Sequence, residues 1–113
     1  MKSSPLPNYL LANRKRLALS QHEVAFLLGQ HGGDNVSRYE NYTREPNLQT
    51  ILAMEAIFQK PANQLFAGLY ERIEREVAAR AKVLTYKTDL GRSKSKVGRK
   101  RDTLNRLAKP IQN

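Results

Sequence analysis

Between Leu10 and Leu84 the apolar residues recur every three or four positions in short runs, and most runs have their own start or stop signal. That spacing builds amphipathic helices, and no segment shows the period-two alternation of strands. Helix one is expected over about residues 8–18, after Pro7-Asn8, with Leu10, Leu11 and Leu17 as its apolar points. Ser20 followed by Glu23 makes a capping box for helix two, which carries Val24, Ala25, Leu27 and Leu28 and stops at Gly29. Helix three spans about 34–42, capped by Gly33 or Asp34, with Val36 and Tyr39 inward. Pro46 cannot continue that helix and Asn47 caps helix four, whose apolar face is Leu48, Ile51, Leu52, Met54 and Phe58. Lys60-Pro61 ends it, and helix five is expected to run unbroken from Ala62 to about Leu84.

The chain has 113 residues, enough for one small core. Its 20 basic and 10 acidic side chains give a net charge of +10, which points to a polyanionic partner, nucleic acid before an anionic membrane. The excess is uneven: residues 82–113 hold ten basic and two acidic residues. Their Gly-, Ser- and Lys/Arg-rich stretch DLGRSKSKVGRKRD is too poor in apolar residues to offset its ordering entropy. The expected organisation is therefore a folded domain over 6–84 and a basic, mostly disordered tail over 85–113. A short helix over Asp102–Lys109 is compatible with Leu104, Leu107 and Ala108 sharing a face.

The absence of Cys removes disulfides, thiolate metal sites and a cysteine nucleophile, and fits a reducing compartment. His22 and His31 do not make a metal site, and they form no triad or acid–base pair with Ser37 and Glu40. The expectation is a non-enzymatic protein with no cofactor and no metal. No apolar run suits a signal peptide or a membrane span, so a cytoplasmic location is expected, without membrane association.

Four blocks in order sharpen the reading: LSQHEVAFLLG (Leu19–Gly29), VSRYEN (Val36–Asn41), PNLQTILAMEAIF (Pro46–Phe58) and NQLF (Asn63–Phe66). Over about residues 10–66 the chain resembles the repressor-type, Xre/Cro-like and lambda-repressor-like helix-turn-helix family. The resemblance implies an all-α, five-helix domain with an extended fifth helix, whose third helix enters the major groove of DNA. It implies a bacterial or phage-encoded, nucleoid-associated transcriptional regulator that reads double-stranded DNA by sequence, with repression as the expected mode. It places Gln21 on a phosphate and braces it against the recognition helix, pairs Glu40 with Arg14, and sets Arg44 on the DNA backbone. Gly33, Asp34, Asn35, Ser37 and Arg38 would then face the groove. Asparagine can pair with adenine and arginine with guanine, while Asp34 either caps helix three or accepts from a cytosine amino group.

This chain departs from the family pattern in three places. The turn Gln30–Asn35 is one residue longer than usual, which leaves the register of the base-reading residues open by one. Asn13 stands where the family has a core leucine. Glu55 replaces a small residue, with an internal ion pair as its simplest role. Along helix five, Phe66, Leu69, Ile73, Val77, Ala81 and Leu84 form a stripe. It either folds back on the same domain or, as the helix length favours, pairs two copies through a homodimer seam of Leu69, Ile73, Val77 and Leu84. Glu71–Arg75 and Glu76–Arg80 are spaced for ion pairs. Two other functions remain open at this stage. One is an antitoxin or adaptor that holds a protein partner through helix five or the tail residues Leu104, Leu107 and Ala108. The other is a basic protein that binds nucleic acid without sequence preference.

Overall fold

A computed structural model describes residues 8–90 and 97–109. Among them are seven helices and no strand: α1 (Leu10–Arg16), α2 (Gln21–Leu27), α3 (Asp34–Asn41), α4 (Leu48–Phe58), α5 (Ala62–Leu65), α6 (Ala67–Leu90) and α7 (Val97–Leu107). The chain divides into two units between Tyr70 and Glu71.

The first unit is built on one apolar cluster. Leu10, Val24, Ala25, Val36, Tyr39, Met54, Phe58, Leu65 and Phe66 are buried together, with Leu19, Leu28, Ile51, Ile57 and Leu69 packed around them. Ala25 is fully buried on α2, the helix that packs on α3, so a larger side chain there has no room. Buried Asn8 secures the entry of the chain. Its Oδ1 accepts from the Leu10 amide at 3.1 Å and its Nδ2 donates to the Tyr39 carbonyl at 2.9 Å. Asn13 sits half-buried rather than in the core, and its amide donates to the Tyr9 carbonyl at 2.9 Å.

The helix ends follow local chemistry. The Ser20 hydroxyl accepts from the Glu23 amide at 3.0 Å and the Glu23 carboxylate accepts from the Ser20 amide at 2.8 Å, completing the expected capping box. Asn47 caps α4 through the Thr50 amide at 2.9 Å. Helix one is shorter than its apolar spacing suggested, because Leu17 is its C-cap and Ala18 turns left-handed at φ +61. A side chain there is strained, whereas glycine is not. Ala18→Gly is therefore expected to raise stability by about 0.5–1 kcal/mol, seen as a higher melting temperature by circular dichroism.

The expected fifth helix is two helices. Phe66 leaves helical geometry at φ −123 and ψ 49 and is buried in the core, which separates the single turn of α5 from α6. Glu55 supplies the start of α5. Its Oε2 accepts from the Ala62 amide at 2.6 Å, so its role is a cap across the Pro61 turn, not an ion pair. Helix α6 continues past residue 84 to Leu90, since no glycine or proline interrupts the chain between Gly68 and Gly91. At 24 residues it is about 36 Å long. Among its described residues the ion pair is Arg72–Glu76 at 3.9 Å between exposed side chains, rather than either pair expected from spacing.

The second unit corrects the expectation of a mostly disordered tail. Residues 85–90 lie in α6 and Val97–Leu107 form α7, while residues 91–96 and 110–113 fall outside the described residues. Ala78, Ala81 and Leu104 are this unit's buried apolar residues among those described. The helix expected over Asp102–Lys109 runs instead over Val97–Leu107, and the face shared by Leu104, Leu107 and Ala108 buries Leu104, which the segment's average composition conceals.

Candidate nucleic-acid interface

The turn between α2 and α3 sets where α3 begins. Gly32 adopts φ +73, a left-handed conformation that most side chains resist. Gly33 is buried, and a Cβ at this position would lie 3.1 Å from the Gln21 Cβ. The two adjacent glycines thus let α3 start directly against the first residue of α2. Gly33 is the N-cap of α3 and no side chain caps the helix. Asp34 therefore does not cap. It is an exposed acid in the first turn, where it complements the helix dipole.

Behind this turn lies a bonded set that joins three helices. The Arg14 guanidinium grips the Glu40 carboxylate with Nε at 2.5 Å and Nη2 at 3.3 Å, and its Nη1 donates to the Leu19 carbonyl at 2.9 Å. The side chains are only 12% and 6% exposed. Gln21 donates its amide to the same carboxylate at 3.0 Å. Glu40 thus ties α1 to α3 and also sets the rotamer of Gln21 at the start of α2. The expected pair and the expected brace meet on one residue.

In front of it, the exposed start of α3 gathers a second set. Arg38 donates to the Asn35 Oδ1 at 3.3 Å, and Arg44, beyond the helix, donates to the same oxygen at 3.4 Å. Both arginines are exposed, and neither pairs with a carboxylate among the described residues. Two guanidiniums held close by a neutral amide repel each other and leave donors free for an anion. Ser37 is half-buried, and its amide closes the first turn on the Gly33 carbonyl at 3.0 Å. Helix α3 ends at Tyr42, left-handed at φ 58, with the Thr43 amide returning to the Arg38 carbonyl at 2.9 Å. That closure carries Arg44 back toward Asn35.

The proposed seam residues are not equivalent. Ile73, Val77 and Leu84 are exposed along α6, together with Tyr70, Val83 and Tyr86. Leu69 instead packs against the core of the first unit, because it lies one turn past Phe66 and shares its inward side. Sequence reasoning missed Asn8. Its position after Pro7 marked only a helix start, and nothing local signals a hydrogen bond to residue 39.

No helix among the described residues is long and apolar enough to cross a membrane. Neither a curated protein nor a solved structure matches the chain. Residues 10–65 match the family described as Helix-turn-helix, and the match spans α1 through α5, including the Arg14–Glu40–Gln21 set and the Asn35–Arg38–Arg44 cluster. The chain thus carries, over residues 10–65, a helix-turn-helix domain of the Xre/Cro/lambda-repressor-like DNA-binding family.

Proposed function

We propose that this protein is a sequence-specific transcriptional repressor that reads the major groove of double-stranded DNA with α3 and acts as a homodimer on a two-fold operator. The observation that carries the reading is the Asn35–Arg38–Arg44 cluster, in which two exposed, uncompensated guanidiniums share one amide at the start of α3. Arg38 reads a guanine edge, Asn35 contributes to the same readout, and Gln21, Ser37 and Arg44 hold the backbone. Asp34, exposed and not engaged in capping, accepts from a cytosine amino group. Ile73, Val77 and Leu84 of α6 form the seam between two copies. In this division residues 6–84 read DNA and pair the copies, and residues 85–113 are a basic extension. The protein works in the cytoplasm of a bacterium or of a phage-infected cell, without a cofactor.

The test is a site selected from random duplexes, followed by affinity measurements on that site and on unselected DNA. Arg38→Ala is expected to cost about 1–3 kcal/mol on the selected site and little on other duplexes. Equal losses on both would place Arg38 on a phosphate and remove it from base reading. An absence of any selected sequence for the wild-type protein would sink the regulator reading. The adaptor alternative loses one of its tail residues, since Leu104 is buried.

A further inference from the structure

Helix α7 has a side that the helix-turn-helix domain does not account for. Its 11 residues and the following turn hold Arg99, Lys100, Arg101, Arg106 and Lys109 against a single acid, Asp102. At 100° per residue, Leu104, Leu107 and Ala108 share one side of the helix, and Arg99, Arg106 and Lys109 lie on the opposite side. The burial agrees with this geometry: Leu104 is buried and Leu107 and Ala108 half-buried, while Arg99, Arg106 and Lys109 are exposed. From this arrangement we propose that α7 is a second DNA-contacting element, whose outward basic side binds the phosphate backbone independently of base sequence. The proposal rests on the reading of the protein as a DNA-binding regulator and adds a contact outside the matched family region.

Three features favour a duplex over other partners. A helix that binds a membrane surface inserts its apolar side, and here that side is already covered within the protein. Helix stability does not explain the charges either. Arg99 and Lys100 sit in the opening turn, where cations face the positive end of the helix dipole and weaken the helix. An anion beside them reverses that penalty. Finally, the partner must present closely spaced negative charge to several cations held along one rigid element, and the same chain already carries a domain for such a partner.

The experiment uses the full chain and measures affinity against salt on a selected duplex and on random DNA. The variant carries Arg99→Gln, Arg106→Gln and Lys109→Gln. Each lost phosphate contact lowers the slope of log affinity against log salt by about 0.9, so full engagement predicts a slope smaller by about 2–3. The losses on selected and random DNA should match, leaving the preference between them unchanged. A complementary variant, Thr103→Lys, adds a cation to the same side at an exposed position and should steepen the slope by about 0.9. This second variant keeps the test decisive should the triple change disturb α7, which circular dichroism would reveal. Unchanged slopes in both variants would overturn the proposal. If the wild type shows no preferred sequence yet the triple variant flattens its slope, the regulator reading fails and the assignment of α7 stands. If the preference is clear and neither slope moves, the outcome is the reverse.

Discussion

Glu40→Ala should lower stability by roughly 3–5 kcal/mol and weaken binding to every duplex at once. The large effect comes from the residue left behind. Arg14 is only 12% exposed, so without its carboxylate it is a nearly buried cation with a single remaining carbonyl partner. Denaturant unfolding monitored by circular dichroism would read the loss. A double replacement, Arg14→Met with Glu40→Leu, separates the two roles of the site. Removing both charges takes away the unpaired cation, so stability should recover most of the deficit. The anchor for Gln21 is still gone, so DNA affinity should stay low. If the double variant regains full affinity, the carboxylate serves the fold alone and Gln21 needs no brace.

Ile73→Asp combined with Val77→Asp should abolish the proposed dimer and reduce operator affinity by about 10²–10⁴-fold, since each domain then binds its half-site without the gain from linkage. Both side chains are exposed on α6, so the change adds charge without opening the core. Sedimentation should show a monomer, and circular dichroism an unchanged fold. Half-site preference should survive, because Arg38 and Asn35 lie elsewhere. A dimer that persists in the variant would reject this seam. Leu69 is unsuitable for the test, because it packs against the first unit's core and its substitution would confuse unfolding with dissociation.

Much of the first unit was legible in the sequence because its signals are local. Ser20 with Glu23 and Asn47 before α4 announce their caps within three residues of where they act. The Arg14–Glu40 pair joins distant positions and was legible only through family resemblance. The features that escaped are those decided by tertiary packing. Phe66 looked like one more point on a continuous stripe, but its burial in the core breaks the helix there. Glu55 looked like half of an ion pair, but the amide it caps belongs to a turn whose approach no local pattern encodes. The basic tail failed for a different reason. An average over composition conceals a single well-placed leucine, and Leu104 lies on the apolar side of a helix over Val97–Leu107. At the candidate interface, the residue types were readable but their convergence was not. Nothing in the spacing of residues 35 and 44 shows that one amide oxygen serves both Arg38 and Arg44.

That shared oxygen bears on how binding preference can change over evolutionary time. A substitution at position 35 frees two guanidiniums together, which in the proposed reading meet a base edge and the backbone. Neighbouring sequences that differ there would therefore not change base preference alone. Local base preference and overall affinity would change in one step, so a duplicated copy of the gene would part from its parent in both through one codon change.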